Sequence, residues 1–223
     1  MFDRFAWRYD FLNHLFSLNV DKLWRNKAAK ELRGLALDCV LDVATGTADM
    51  ALTIRKRLNT AQIVGVDISE GMLEIGRKKI EKKKLGQFIK LQYGDSENLP
   101  FNEQTFDAVT VAFGVRNFEN LEKGLNEMFR VLKNNGKIVI LELTIPANKT
   151  FRTVFNLYFF KIMPFIGRLL SKGAPACRYL PNSVRFFHQE TELRKKIETC
   201  GFSNIKVKPL TFGIVTVYTG VKE

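Results

Sequence analysis

The sequence predicts an α/β fold: a mostly parallel, seven-stranded sheet with helices on both faces and a terminal antiparallel hairpin. Short β-branched or aromatic runs alternate with helix-period segments from residue 39 to residue 143. After residue 190 the pattern changes to one helix followed by two strand-like runs. No internal repeat of about 20 to 50 residues and no low-complexity tract interrupts the chain, so repeat architectures are excluded.

Residues 1–34 precede the first strand and carry two helical stretches, 3–15 and 21–32, read as capped by Asp3 and Asp21. Strand runs follow at 39–43, 62–67, 88–93, 106–113 and 136–143. Between them, 48–58, 69–83 and 119–132 carry helical spacing, with Met72, Ile75, Lys79 and Ile80 on one stripe after the cap-like Ser69. Such a sheet binds ligands beyond the carboxyl ends of its strands, where strand order reverses. Beyond Leu143 the alternation stops, and 144–189 reads as a helical cap insertion. A helix at 190–200, ended by Gly201, and runs at 202–209 and 212–220 complete the pattern.

With 223 residues, 46% of them hydrophobic and 26% charged, the composition is that of a globular domain, which excludes a disordered tail, a coiled coil and a disulfide miniprotein. Cys39, Cys177 and Cys200 form no CxxC pair and only His14 and His188 could join them, so no metal site is expected and a reducing cytoplasm is the simplest compartment. Neither a secretory leader nor an apolar run of about 18 residues is found, so no membrane span is expected. A net charge of +12 points to an anionic partner, either nucleic acid or an acidic membrane surface.

The most informative segment is Leu41-Asp42-Val43-Ala44-Thr45-Gly46-Thr47-Ala48-Asp49, a strand running into a tight turn and a helix. Gly46 allows close backbone approach to a ligand, and the helix start offers N–H groups. Asp67 ends the second strand, where a carboxylate can accept from both hydroxyls of a ribose. The competing reading is a plain βαβ glycine turn with Asp67 as a helix cap. After the third strand, Asp95 or the Ser96 backbone can read an adenine edge. Asp49 can meet a cofactor ammonium as well as favour the helix dipole. Thr47 is a contact to a methionine moiety or a capping threonine.

This succession resembles the class I methyltransferases that use S-adenosylmethionine, in order and spacing across residues 40–143. The resemblance implies a Rossmann-like cofactor-binding core at 35–143. It lies within one domain that has an N-terminal helical cover at 1–34, an aromatic basic cap at 144–189 and a C-terminal helix and hairpin at 190–223. A dinucleotide-binding turn would need G-x-G-x-x-G, and only one glycine is present.

An RNA acceptor is the rival reading from the basic charge. An exocyclic-amine methylase would show an Asn/Asp-Pro-Pro-aromatic turn where the chain has Phe113-Gly114-Val115-Arg116-Asn117, and no cysteine follows that strand to serve a cytosine C5 methylase. From Leu143 through Gln189 there is no Asp or Glu, while Lys149, Arg152, Lys161, Arg168, Lys172, Arg178 and Arg185 are basic. Phe151, Phe155, Phe159 and Ile162 recur at helical spacing. A basic, aromatic segment of this kind lies on an anionic membrane or covers a greasy substrate. A packed lid with solvated charges is the alternative, and both can hold together.

Over nearly its whole length the chain resembles the ubiquinone/menaquinone biosynthesis C-methyltransferase family. The matching stretches include Met1-Phe2-Asp3, Tyr9-Asp10-Phe11-Leu12-Asn13, Leu23-Trp24-Arg25, the glycine motif, Phe113-Gly114-Val115-Arg116-Asn117, Met163-Pro164-Phe165-Ile166-Gly167, Tyr179-Leu180-Pro181-Asn182-Ser183-Val184 and Leu210-Thr211-Phe212-Gly213-Ile214. Ala48 stands where many members have glycine and Ser96 where many have alanine; both are small, so cofactor binding should survive. Members usually carry a short segment ahead of the Met-Phe-Asp start, so this N terminus reads as trimmed or short.

The resemblance implies methyl transfer from S-adenosylmethionine to a ring carbon of a prenylated quinol, demethylmenaquinol ahead of the ubiquinone precursor, by a cytoplasmic protein peripheral on the membrane. No nucleic-acid partner is then expected, and a homodimer is compatible. Gly46, Thr47, Asp49, Asp67, Asp95 and Ser96 are the expected cofactor residues. Arg116 and Asn117 are the expected catalytic pair, Arg116 holding a quinolate oxygen and Asn117 orienting the ring; the competing reading pairs Arg116 with a carboxylate such as Asp49. Tyr9, Asn13, Tyr179 and Ser183 are the expected substrate contacts. His188, beside Phe186 and Phe187, reads as structural.

Overall fold

A computed structural model describes residues 19–58, 62–158, 160 and 190–223. The elements are α1 (Asp21–Lys30), β1 (Cys39–Val43), α2 (Asp49–Arg57), β2 (Gln62–Asp67), α3 (Glu70–Lys82), β3 (Ile89–Tyr93), β4 (Phe106–Ala112), α4 (Leu121–Val131), β5 (Leu132–Leu143), α5 (Lys149–Leu157), α6 (Glu190–Thr199), β6 (Phe202–Leu210) and β7 (Val215–Lys222). The seven strands form one sheet in the order β3-β2-β1-β4-β5-β7-β6. Strands β1 to β5 are parallel, and β7 runs antiparallel to both its neighbours. The expected hairpin is therefore present, with its second strand inserted beside β5.

Adjacent residues of β1 explain the layering. Val40 belongs to one apolar cluster and Leu41 and Val43 to the other, and all three have no exposed surface. A central parallel strand buried on both faces favours apolar residues on each, and Asp42 is the one acid that interrupts the run in β1. Strand order reverses between β1, which continues to β2, and β4 on its other side, so the crevice opens at their carboxyl ends.

Local signals set three helix starts. The Ser69 hydroxyl accepts from the Met72 N–H at the start of α3, and Asn120 and Asn148 cap α4 and α5 through their side-chain oxygens. The expected Asp21 cap is corrected: Asp21 is the first residue of α1, Val20 holds the cap position without a side-chain bond, and the Asp21 carboxylate pairs with Arg25. The stripe on α3 is also corrected. Met72, Leu73, Gly76 and Ile80 are its buried residues, and Lys79 reaches sideways.

Several boundaries differ from expectation, among them β7, which starts at Val215 instead of residue 212 because Thr211–Gly213 form a 3-10 turn. Phe113 was read as the end of β4 but has φ 60, outside strand geometry. β5 begins earlier than residue 136 because Leu132 already pairs with Phe106; the register then shifts, with Ala108 opposite Lys137, and Asn135 takes φ 62 in the intervening residues. Asn accepts that left-handed conformation more readily than most residues.

α1 runs against the strand direction. The Trp24 indole N–H donates to Thr211 Oγ1 at 2.7 Å in the β6–β7 turn, at the crevice edge, and Lys137 Nζ donates to the Glu31 carbonyl at 2.6 Å near the opposite edge. No helix among the described residues is long and apolar enough to cross a membrane.

Candidate active site

The turn after β1 is shaped by backbone strain. Ala44, Gly46 and Ala48 all have positive φ, at 50°, 55° and 66°. A Cβ added at Gly46 would meet nothing within 4 Å, so the loop's glycine presents bare backbone to open space. Packing behind the loop is tight. A Cβ at Gly76 of α3 would lie 2.6 Å from Leu91 Cδ1 and 3.3 Å from the Thr47 carbonyl carbon.

Asp67 ends β2 beside this loop and braces it. Its Oδ2 accepts from the Gly46 N–H at 2.8 Å and its Oδ1 from the Ser69 N–H at 2.9 Å. Through these two bonds it also orders the turn into α3, which is the structural reading of this carboxylate. Thr47 is buried and its hydroxyl accepts from Lys79 Nζ at 2.8 Å; the same ammonium pairs with Asp49 at 2.9 Å. Asp49, expected to face a ligand ammonium, thus already neutralises a protein ammonium brought over by the close approach of α3.

Beyond β3, Asp95 is exposed and its Oδ1 accepts from the Glu97 N–H at 2.9 Å, while Ser96 is half-buried in the same turn. Two side chains that sequence reasoning missed stand beside these acids: Ile68 after β2 and Tyr93 at the end of β3 are each 59% exposed. Large apolar side chains bared at strand carboxyl ends are suited to flank a flat ring.

Arg116 lies in the 3-10 turn Val115–Asn117 after β4. Its side chain is 2% exposed and pairs at 2.5 Å with Glu142 of β5, which is fully buried; Arg116 Nη1 also donates to the Phe113 carbonyl at 2.6 Å. Glu142 Oε1 accepts in addition from the Leu143 N–H at 2.8 Å. The competing expectation was right about a carboxylate and wrong about which: Glu142 holds Arg116 and Lys79 holds Asp49. Half-buried Asn117 follows, its N–H donating to the Gly114 carbonyl at 2.9 Å. Glu142 was legible as a lone acid in the apolar run Ile138-Val139-Ile140-Leu141, since a buried charge requires a partner. Tyr9, Asn13, Tyr179 and Ser183, with Asp3 and His188, lie outside the described residues.

A second buried acid, Asp42, joins β1 to the loop and to β4. It accepts from the Thr45 hydroxyl at 2.6 Å and the Thr110 hydroxyl at 2.7 Å. Burial pushes its carboxyl up to about 6 from an ordinary 3.8, against the opposing pull of the Thr110 and Thr45 hydroxyls and the Arg25 charge. The native chain therefore retains a proton between about pH 4 and 6 that the unfolded chain has released, so stability falls as pH rises through that window. At ~1.4 kcal/mol per unit the effect is about 3 kcal/mol. Asp42→Asn is expected to flatten this dependence, read as urea midpoints at pH 4 and pH 7.5; an undiminished difference between the two would refute it.

The sheet order, the strained glycine turn after β1 and the acid that ends β2 define a class I S-adenosylmethionine-dependent methyltransferase. The same fold is seen in an S-adenosylmethionine-dependent methyltransferase of Thermotoga maritima, described as a possible histamine N-methyltransferase, with a TM-score of 0.70 at 22% identity over 100% of this chain and 98% of that one. The chain belongs to the ubiE/COQ5 methyltransferase family, whose model matches residues 1–222. It is 45% identical over 222 residues to the demethylmenaquinone methyltransferase of Bacteroides fragilis, covering 100% of this chain and 91% of that protein. It is 44% identical to the ubiquinone/menaquinone biosynthesis C-methyltransferase UbiE of Geobacter sulfurreducens, covering 100% of this chain and 87% of the relative.

Proposed function

We propose that this enzyme methylates a ring carbon of a prenylated quinol, demethylmenaquinol ahead of the demethylated ubiquinone precursor. The observation that carries this reading is the 45% identity to a demethylmenaquinone methyltransferase across the entire chain.

The residues present fit the methyl donor. Gly46 leaves open space over the loop; Asp67 would supply a carboxylate for the ribose hydroxyls, Ile68 and Tyr93 would flank the adenine, and Asp95 and Ser96 would meet its edge. Thr47 and Asp49, with Lys79 between them, form the wall near the methionine end. S-adenosylmethionine supplies an already activated sulfonium methyl, so the protein's share is chiefly placement of the acceptor carbon at about 3 to 3.5 Å and in line.

That carbon becomes nucleophilic as a quinol hydroxyl, phenol-like with a pKa of about 10, gives up its proton to solvent, and after methylation the ring hydrogen leaves to solvent as a second proton, restoring the aromatic ring. Arg116 stabilises the oxyanion from a position fixed by Glu142, and Asn117 orients the ring oxygen. Preorganisation by Glu142 offsets part of the Arg116 charge, so the quinolate shares the cation with a protein carboxylate. Tyr9, Asn13, Tyr179 and Ser183 are the proposed quinol contacts.

Peripheral attachment to the cytoplasmic side of an anionic membrane is part of the reading. α5 carries Lys149 and Arg152 beside exposed Phe151, Val154 and Leu157, and the Phe151 ring stacks at 4.2 Å on exposed Phe212. A prenylated substrate is delivered from such a surface.

The test is transfer of labelled methyl from S-adenosylmethionine to demethylmenaquinol, the demethylated ubiquinone precursor and bulk RNA, each presented with detergent micelles. Label in the menaquinol series is the expected result. Label in RNA with none in either quinol overturns the reading.

A further inference from the structure

One cation at the crevice edge has no role in the scheme above. Arg25 sits in the half of α1 that Trp24 ties to the β6–β7 turn. Its side chain is only 13% exposed. Nη1 pairs with Asp21 one helical turn earlier, and the guanidinium lies over the Phe113 ring, 5.2 Å from its centroid. Its Nε is buried and makes no hydrogen bond among the described residues.

Phe113 connects this cation to the cofactor loop. The next residue, Gly114, packs directly on the turn after β1: an added Cβ there would lie 2.7 Å from Ala44 Cβ. Arg25 thus rests on the ring of Phe113, whose chain neighbour Gly114 touches the turn after β1. Its charge also reaches the Asp42 carboxyl, opposing the rise that burial imposes.

The sheet order gives this position a meaning. Asp67, Ile68, Tyr93 and Asp95 cluster at the ends of β2 and β3, on one side of β1. A nucleoside seated there sends its 5′ substituent past Gly46 and toward β1 and β4. The 5′ substituent of S-adenosylmethionine ends in an amino acid, and its carboxylate is the one anionic group of the molecule. A buried guanidinium with donors to spare, held in orientation by a carboxylate of its own helix, suits a fork-shaped contact to a second carboxylate.

We propose that Arg25 binds the α-carboxylate of the cofactor, with Asp21 as the positioning residue that holds the guanidinium toward the loop. This rests on the placement of the adenosine at β2 and β3 given above.

The test is binding, by titration calorimetry, of two ligands that share the adenosine and sulfur: S-adenosylhomocysteine, which carries the amino acid, and 5′-methylthioadenosine, which lacks it. Arg25→Gln is expected to weaken S-adenosylhomocysteine about 10- to 100-fold while 5′-methylthioadenosine stays within about twofold. Arg25→Lys, which keeps the charge without the fork, is expected to show the same selectivity with a smaller loss, and it serves where the glutamine variant fails to fold. Equal loss of both ligands, or loss of neither, overturns the proposal. Asp67→Ala on the same two ligands separates this from the underlying reading: it weakens both alike if the adenosine lies at β2, and a loss for neither would sink that placement whatever Arg25 does.

Discussion

Arg116→Ala is expected to lower kcat for methyl transfer to demethylmenaquinol by about 100- to 1000-fold, the usual loss when one preorganised donor to a developing oxyanion is removed. The same change leaves Glu142, fully buried, without its cation, which costs roughly 3–5 kcal/mol of stability for an orphaned buried charge. These two effects are separable. In the double variant Arg116→Met with Glu142→Gln no uncompensated charge remains, so the urea midpoint should return most of the way to that of the unmodified protein while turnover stays low. Recovery of both stability and rate in the double variant would mean that Arg116 serves only to neutralise Glu142.

The second large effect is on cofactor affinity. Asp67→Ala removes the proposed ribose acceptor and, with it, the two bonds that tie Gly46 and Ser69 to the end of β2. A loss of about 2–3 kcal/mol follows, roughly 30- to 150-fold in the Kd for S-adenosylhomocysteine by calorimetry. Asp67→Asn retains one side-chain oxygen as an acceptor and should lose less. A Kd within twofold of the starting value in the alanine variant would remove Asp67 from the cofactor site.

Much of this architecture was legible because local and global signals agree. β1 and β2 begin and end where the β-branched runs do, since a doubly buried strand admits little else, and Ser69 caps α3 as its sequence position predicts. Other features depend on residues far apart in the chain. Glu142 meets Arg116 across 26 positions and Asp107 accepts from the Cys39 N–H across 68, distances over which no periodicity speaks. Asp21 resembles a cap by type but belongs to Arg25, because α1 starts one residue earlier in the chain than the spacing implied. The sequence marks Arg25 only as part of the family-like stretch Leu23-Trp24-Arg25 and gives no sign of its burial. Its burial arises from α1 lying over the crevice edge, a tertiary event. Of the predicted site residues, the structure brings the glycine turn, Thr47, Asp49, Asp67 and Asp95 to the carboxyl ends of β1, β2 and β3, and Arg116 and Asn117 to that of β4.

The position of β7 also governs the order in which the molecule can be assembled. From Lys137 to Leu143, β5 pairs with a strand that the ribosome delivers about 70 to 85 residues later, Leu143 waiting for Val215 and Lys137 for Val221. Until then the parallel half carries a long, apolar, unpaired margin, the kind of template that recruits other chains. Residues 41–49 of the cofactor loop are thus synthesised well before the strand that covers the edge of β5.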